Sequence, residues 1–529
     1  MNTRIHRLAI PLLILAACCA HTHAQPPQKP FVTVAGRQFI DPQGRHLLLH
    51  GLSVINKNKA SRYQSWHGPD DFAAMREWGM NCIRLGIFWD GVEPEPGQYD
   101  EAYLAQVDKR IAWAKQNDLY VFLDMHQDLF SVLYSNGAPA WATLTDGKPH
   151  VHPGSVWSDA YLTRPALQTA LDNFWANKPG PGGVGIQDRF AKMWKHVAAR
   201  YADDPTIIGY DLLNEPNAGS ANNEGQMRMA QGFAKAAARK DGRPPVPAEE
   251  ILEQWIDRKG RSKIANRLAD IDLYTAAIDT AQPVFARFEQ TKLVPMHRRV
   301  TNAIRSVDRN HIIFLETSMS ANMGMTSAIA PVLALDGTRD PLQAYAPHGY
   351  DIVVDTPDLA SGSNQRLELI FTRHDQVAAR LNMPMLVGEW GAYGNAGPEI
   401  LHEARFLMRQ FEKLLCSDTY WLYGRRIQNS TYFHVLNRPI PARIAGTLLA
   451  YQHNPETNTF TCTWKENPDV SAPSRIYLPK RAYPGPAGVN LSPPGQGFRI
   501  EPARKNADSL YLVIPPTGKP VDRRLTISP

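Results

Sequence analysis

The sequence is poor in cysteine. Only Cys82, Cys416 and Cys462 lie beyond the amino-terminal segment, and an odd number cannot form a complete disulfide framework. Cys82 falls in an apolar run and is expected to be a buried thiol. A bridge between Cys416 and Cys462 stays open, because spacing alone cannot test it. No residue near these thiols supplies a base, which argues against a catalytic cysteine.

Excess charge of one sign is also small. The net charge of +6 arises from 57 basic and 51 acidic residues. The basic residues are scattered except between positions 235 and 267, and such a cluster is typical of a solvated helix face. No nucleic acid partner is therefore expected. With 43% hydrophobic residues over 529 positions, the chain can bury a full core and exceeds the usual size of one domain.

Long hydrophobic runs are scarce as well. The apolar stretch 8–17 follows basic residues and is too short to span a bilayer, which is typical of a secretory signal. Two alternative processing sites for this signal stay open. One is cleavage before Gln25, after small residues at 22 and 24, and the other is a lipobox at 15–18 that leaves Cys18 acylated. We expect an exported protein, either periplasmic, secreted or tethered to a membrane as a lipoprotein.

Short apolar runs, each followed by a helical pattern, recur along the first ~440 residues and predict repeated strand-helix units with a parallel sheet. Eight such runs are found, the number that closes a (β/α)8 TIM barrel. They cover residues 47–54, 82–88, 119–125, 207–213, 311–316, 344–348, 385–389 and 419–423. Helices are predicted at 70–78, 101–116 and 186–201.

Two segments depart from the barrel pattern. Residues 217–267 are longer than an ordinary connection and contain the breaker run 242–247, which predicts a partly helical insertion over the active face with a mobile tip. After position 438 only short β-type runs remain, which predicts a C-terminal antiparallel β-sandwich. The expected domains are thus a signal at 1–24, a barrel at 29–437 and a β-sandwich at 438–529.

Polar residues interrupt the apolar runs at five strand ends, and two of these ends carry glutamate motifs. Strand four runs into Asn214-Glu215-Pro216, and strand seven runs into Gly388-Glu389-Trp390-Gly391. A carboxylate at a strand's carboxyl end is costly to bury and usually serves function. Retaining glycoside hydrolysis needs two carboxyl groups ~5–5.5 Å apart, one protonated and one ionised. Because strands four and seven face each other across a barrel mouth, these glutamates can flank one sugar.

These motifs resemble glycoside hydrolase family 5. The resemblance covers roughly residues 45–425 and implies that Glu215 is the general acid/base and Glu389 the nucleophile. The supporting positions implied by the family are Arg84, Asn214, His348, Tyr350 and Trp421, together with His126 after strand three.

Each of these supporting positions also has a physical reason. An Arg84 guanidinium would keep Glu389 ionised, and Asn214 could donate to a sugar 2-hydroxyl. His348 and Tyr350 could orient the nucleophile, and the Trp421 indole offers a stacking face. Plain structural roles, an ion pair or core packing, remain the alternative at every supporting position.

A second set of motifs surrounds strand three. Residues 124–131 and 137–142, with 89–94 and 172–175, look like the endoglycoceramidase and glucosylceramidase branch of the family. That resemblance implies cleavage between a glycan or glucose and ceramide, with His126 and Asp128 binding sugar hydroxyls. A lipid aglycone needs an apolar surface, for which the aromatic candidates are Trp141, Trp157, Phe174 and Trp175.

Other functions stay open. A β-glucosidase acting on another hydrophobic aglycone would use the same residues, as would an endo-β-1,4-glucanase or mannanase with a long sugar cleft. A non-catalytic carbohydrate- or lipid-binding barrel is a third alternative, although both glutamates are present. No cofactor or metal is expected, because the mechanism needs none. The expected partners are a glycolipid or glycan substrate and, transiently, a lipid surface.

Overall fold

Eight parallel strands form the sheet at the centre of the molecule. The computed structural model describes residues 30–150, 156–479, 488–494, 497–505 and 507–528, so the predicted signal lies outside the described residues. The strands are β1 His50–Val54, β2 Cys82–Ile87, β3 Tyr120–Met125, β4 Ile207–Asp211, β5 Ile312–Leu315, β6 Gln343–Tyr345, β7 Leu386–Val387 and β8 Ser417–Tyr420.

The sheet closes on itself. Strands β1 to β6 pair in chain order, β7 pairs with β8, and β8 pairs with β1. A parallel bridge between Tyr345 in β6 and Met385 before β7 joins the two remaining edges. The predicted (β/α)8 barrel is therefore confirmed.

The predicted sixth and seventh runs each divide into two short pieces. Beyond β6 and β7 the chain forms a separate parallel pair, His348–Gly349 with Glu389–Trp390, in which His348 lies beside Glu389. The break comes at Gly388, whose N–H donates to the carbonyl of Pro347 instead of continuing the barrel ladder. This break places His348 and Glu389 next to each other at the barrel mouth.

Helices surround the barrel. The predicted helices at 101–116 and 186–201 have those bounds. The helix predicted at 70–78 runs from Pro69 to Glu77, and it begins one residue early because proline suits the first turn. The α-helices of the ring are Pro69–Glu77, Trp89–Val92, Glu101–Gln116, Ala160–Thr163, Pro165–Trp175, Ile186–Tyr201, Val294–Arg305, Asn364–Leu381, Leu401–Leu414 and Phe433–Leu436. Among the described residues, no helix combines the length and the apolarity that crossing a bilayer requires.

The connection between β4 and β5 carries four further helices, Ala221–Asp241, Ala248–Ile256, Arg258–Arg267 and Ile271–Phe288. We call this segment, residues 217–288, the helical insertion; it extends past the predicted range. Its two long helices lie close together, since a Cβ on Gly232 would sit 2.4 Å from the carbonyl oxygen of Ala276. A short π-helix, Glu289–Leu293, then returns the chain to the ring.

The carboxyl-terminal part is a β-sandwich, as predicted. One sheet contains Gly446–Asn454, Thr459–Glu466, Val489–Ser492 and Asp522–Ile527; the other contains Ile440–Ile444, Ser474–Leu478, Arg499–Pro502 and Leu510–Ile514. The second sheet is completed by three amino-terminal strands, Thr33–Ala35, Gln38–Ile40 and His46–Leu47, which the sequence did not indicate. The residues at 47–48 therefore belong to this region and not to β1.

The three cysteines among the described residues do not bridge. Cys82, Cys416 and Cys462 are all free and buried. Cys416 lies in the barrel core and Cys462 in the β-sandwich core, so each packs as a small apolar side chain. The bridge between Cys416 and Cys462 that the sequence left open is not formed, and the buried Cys82 thiol is confirmed.

Candidate active site

Arg84 on β2 lies at the centre of a buried cluster of acids. Its Nη1 donates to Oε1 of Glu389 at 2.5 Å, and its Nη2 donates to Oε1 of Glu316 at 2.9 Å. Asp211 Oδ2 and Asp124 Oδ1 each lie 3.0 Å from Nη2. Because four acids share one guanidinium, they cannot all be neutralised by it. Burial and then Glu316 raise the pKa of Asp211 well above its ordinary value, while Arg84 opposes this effect.

Both oxygens of Glu389 are held. Oε1 accepts from Arg84, and Oε2 accepts from the hydroxyl of Tyr350 at 2.9 Å. Burial, followed by the charge of Glu389, raises the pKa of Tyr350 well above its ordinary value, so the phenol remains a donor. Two donors on one carboxylate fix its orientation.

Glu215 follows β4 and has a different environment. Its Oε1 accepts from Nδ2 of Asn322 at 2.7 Å and lies 3.0 Å from Nδ1 of His348. Burial raises the pKa of Glu215; His348 opposes this effect, while Glu389 and Glu316 add to it, and the net pKa is raised. A buried carboxyl with a raised pKa keeps its proton to higher pH, as a general acid must.

The two glutamates face each other. One oxygen of Glu215, one oxygen of Glu389 and a ring nitrogen of His348 lie within 4.8 Å of one another. Retaining glycosidases place their carboxyl groups about 5–5.5 Å apart, whereas inverting enzymes leave about 6.5–9.5 Å for a water molecule. The geometry therefore matches direct attack on the sugar.

A polar pocket with an aromatic wall adjoins the glutamates. The rings of His126 and Trp421 stack at 5.2 Å with 12° between their planes. His126 Nδ1 lies 2.9 Å from Asp124, and Asp128 pairs with Lys57 Nζ at 2.7 Å. Burial would raise the pKa of Asp128, but Lys57 and His126 outweigh it and keep this carboxylate ionised. Such a wall presents charged hydrogen-bonding groups beside an indole face.

Asn214 is tied into the same network. Its Oδ1 accepts from Arg84 at 2.9 Å, and its Nδ2 donates to the carbonyl of Gln127 at 3.0 Å. Gln127 in turn donates through Nε2 to the carbonyls of Asn214 and Glu215, at 2.8 and 3.1 Å. One N–H of the Asn214 amide is thus used inside the protein, which leaves the other for a ligand.

All the predicted site residues meet at the barrel mouth, namely Arg84, His126, Asp128, Asn214, Glu215, His348, Tyr350, Glu389 and Trp421. The sequence interpretation missed Lys57, Asp124, Gln127, Asp211, Glu316 and Asn322. A signal existed for Glu316, because the fifth apolar run ended in this acid. No pattern pointed to Asn322, which lies in a 3-10 helix of an irregular loop.

Glu215 and Glu389 open into a cavity of about 670 Å³. Much of the cavity lining is apolar, and this part comes largely from the helical insertion. These apolar lining residues include Met229, Phe233, Ile251, Leu252, Trp255, Ile264, Leu268 and Phe285. The cavity thus joins a polar end to an apolar end, within the size range of small-molecule pockets.

Only one of the four predicted aromatic candidates lines this cavity. Trp157 does so, whereas Phe174 and Trp175 are buried in the ring core at 1% and 6% exposure. The Trp175 indole donates to the carbonyl of Asn217, and that of Trp141 donates to the carbonyl of Glu93. Assigning Trp141, Phe174 and Trp175 to the apolar surface is therefore wrong, because they pack beneath the loops.

Three acids around Arg84 lie close enough together to attract a cation. Asp124, Asp211 and Glu316 place oxygens within 4.8 Å of one another. The Arg84 guanidinium lies at 2.9 to 3.0 Å from each of these acids. Arg84 therefore places one positive charge among these three acids.

Several known proteins are similar to this chain in sequence or fold. The family model of cellulase (glycosyl hydrolase family 5) matches residues 41–426, and the model of the glycoside hydrolase family 5 C-terminal domain matches residues 438–527. An endoglycoceramidase of Cyanea nozakii is 30% identical over 249 residues, 42% of this chain and 47% of that protein. The match thus spans about half the length of that relative.

Two bacterial proteins match over a greater length. Endoglycoceramidase I of Rhodococcus hoagii is 24% identical over 75% of this chain and 69% of its own. The structure of endo-glycoceramidase II from Rhodococcus sp. in a ganglioside GM3 complex has a TM-score of 0.71 at 24% identity, covering 94% of this chain and 100% of that one. With the family model matching residues 41–426, the chain belongs to glycosyl hydrolase family 5.

Proposed function

We propose that the protein is a retaining β-glycosidase that cleaves the bond between a glucose or short glycan and a hydrophobic aglycone, with ceramide as the first candidate. The observation that carries this proposal is the position of the glutamate pair. Glu215 and Glu389 lie within 4.8 Å, between a polar pocket and an apolar cavity lining. Glycan and lipid would occupy opposite sides of the bond to be broken.

The reaction follows from the two carboxyl environments. In the first step an oxygen of Glu389 attacks the anomeric carbon while Glu215 gives its proton to the leaving oxygen, so that the lipid alcohol departs and a glycosyl ester forms. In the second step Glu215 takes a proton from water, whose oxygen displaces Glu389 from the sugar. Both glutamates return to their starting states.

The glycan would bind on the polar side. Asp128 and Lys57 offer one acceptor and one donor beside the His126 ring. Trp421 presents its indole to the same pocket, where an apolar sugar face can stack. The free N–H of Asn214 is placed to donate to the 2-hydroxyl, a contact that strengthens as charge develops in the transition state.

The aglycone would bind under the helical insertion. Leu252, Trp255 and Phe285 line a surface with few hydrogen-bonding groups, which suits acyl chains better than further sugars. Endoglycoceramidases are among the relatives, and one solved neighbour holds a ganglioside. An endoglucanase would instead need sugar platforms on both sides of the glutamates, so the apolar lining disfavours it.

Mass spectrometry of reaction products tests the proposal. A panel of detergent-solubilised glucosylceramide, lactosylceramide, ganglioside, alkyl glucoside and cellulose oligomers is incubated with the enzyme. We expect release of free ceramide or alcohol from one or more lipid glycosides. A 2-fluoro-glucoside inactivator should label Glu389. Cleavage of cellulose oligomers alone, or labelling of another residue, would contradict the proposal.

A further inference from the structure

Exposed apolar side chains gather on loops at one end of the barrel. Trp66 follows β1 and is 38% exposed, Leu133 and Trp157 follow β3 at 49% and 40%, and Leu422 follows β8 at 37%. Loops that follow the strands of a (β/α)8 barrel all lie on its carboxyl-terminal face. These four side chains therefore share the face that holds the active site.

The same side chains adjoin the cavity opening. Trp157 lines the cavity, and Leu133 and Leu422 are chain neighbours of the lining residues Tyr134 and Trp421. The Trp66 ring stacks on that of Tyr423, one residue beyond Leu422, with 5.7 Å between centroids. The exposed apolar groups thus lie on, or beside, loop residues that line the cavity, and we call them the rim. Large exposed apolar patches of this kind mark interaction surfaces.

Positive charge accompanies the rim. Arg425 and Arg426 are exposed on the loop after β8, and the Arg425 guanidinium lies 4.9 Å from the centre of the Trp66 ring. Within the described residues neither arginine forms an ion pair, whereas Lys59 and Arg62 on the neighbouring loop pair with acids. Tryptophan beside unpaired cations is the composition of protein surfaces that sit at the headgroup level of membranes.

We propose that this rim, formed by Trp66, Leu133, Trp157 and Leu422 with Arg425 and Arg426, docks the barrel mouth onto an anionic lipid surface. The biological purpose of docking rests on the proposed function, because a lipid glycoside must leave its membrane to reach Glu215. Docking would bury the apolar rim, bring its cations to the headgroups and let the lipid pass into the cavity without crossing water.

A vesicle flotation experiment tests the rim directly. The full chain is mixed with vesicles of phosphatidylcholine and phosphatidylserine (80:20) that contain no glycolipid. Replacing Trp66, Leu133 and Leu422 together by serine should weaken binding on the order of tenfold, since three half-exposed apolar groups are lost. Replacing Arg425 and Arg426 by serine should remove the preference for anionic over pure phosphatidylcholine vesicles. Each lost cation should weaken binding to the anionic vesicles roughly fivefold.

The chain offers matched controls. Leu335 is 83% exposed just before β6, at the opposite end of the barrel, and Leu449 and Ile500 are exposed on the β-sandwich at 50% and 37%. The triple serine variant of these residues should bind vesicles as the unchanged chain does. Every variant carries the same amino-terminal segment, so the differences report the rim alone.

Soluble substrate separates docking from catalysis. Hydrolysis of an aryl β-glucoside should be equal in all variants, which also shows that they fold. Absence of that activity would count against the proposed function and leave the binding result standing. Equal vesicle binding by rim and control variants, or none by the unchanged chain, would overturn the docking proposal. A rim variant that only dissolves a dimer in gel filtration would also overturn it, because the rim would then be a contact between copies.

Discussion

The carboxylate of Glu316 accepts the backbone N–H of Glu215 at 2.7 Å through Oε2, while its Oε1 faces Arg84 at 2.9 Å. Glu215 has a φ of +44°, a left-handed conformation that is strained for a residue with a side chain. The Glu316 contact helps to hold it there. A single acid at the end of β5 therefore touches the backbone of the proposed acid/base and the guanidinium beneath the proposed nucleophile.

Glu316→Gln should change the titration of His348. Burial lowers the pKa of His348, but Glu316 and Glu389 outweigh this effect, and the net pKa is well above its ordinary value. Glutamine keeps an oxygen for the Glu215 N–H but removes the charge 3.3 Å from His348 Nε2. We expect the pKa of His348 to fall, as followed by NMR of ring ¹⁵N, and kcat/KM to drop roughly 10–100-fold, equivalent to about 1.4–2.7 kcal/mol.

A structural effect alone would not move this titration. Glu403→Gln, which removes a buried acid that lies beside Tyr393 and does not line the active-site cavity, serves as the control. An unchanged His348 titration in Glu316→Gln would show that Glu316 does not set the protonation of the site.

Glu215→Ala should separate substrates by their leaving groups. A lipid alkoxide needs the proton that Glu215 supplies, so its release should slow about 10²–10⁴-fold. A dinitrophenolate leaves without a proton, so the first step on that substrate should change little. Steady-state kinetics on both glucosides measure the difference, with added azide replacing water in the second step. Glu250→Ala, on the surface of the helical insertion, is the control. Equal losses on both substrates would argue against the acid/base role.

The barrel was predictable because strands buried on both faces form apolar runs whose number and spacing survive local irregularity. The position of the two proposed catalytic residues at the barrel mouth was predictable for a related reason: Glu215 and Glu389 interrupt such runs at strand ends. The residues that form the apolar lining of the cavity were not predictable. Phe174 and Trp175 have the composition of a binding surface, but aromatic side chains fill cores equally well, and only packing decides. Asn322 and the amino-terminal strands depend on contacts between residues far apart in the chain.

Leu252→Gln should affect lipid substrates selectively. Leu252 is partly buried on the insertion helix Ala248–Ile256 and lines the apolar end of the cavity. A polar amide there loses apolar contact and must be desolvated, which should lower kcat/KM on glucosylceramide roughly tenfold. Hydrolysis of an aryl glucoside with no acyl chain should be unaffected, and Leu335→Gln on the opposite end should change neither. An equal loss on both glucosides would mean that Leu252 supports folding of the site.

The protein should become less stable as pH rises through the range in which Glu403 is protonated in the folded chain but ionised in the unfolded chain. Burial and then Asp351 raise the pKa of Glu403 from 4.5 to about 8. Between these values the unfolded chain releases the proton that the folded chain keeps, so stability is present below pH 4.5 and is lost up to about pH 8. Glu403→Gln removes this loss. Its Tm should exceed that of the unchanged protein by a wider margin near pH 8 than near pH 5, as measured by calorimetry. The exposed Glu456→Gln should show no such widening. A constant margin for Glu403→Gln would mean that this carboxyl titrates alike in both states.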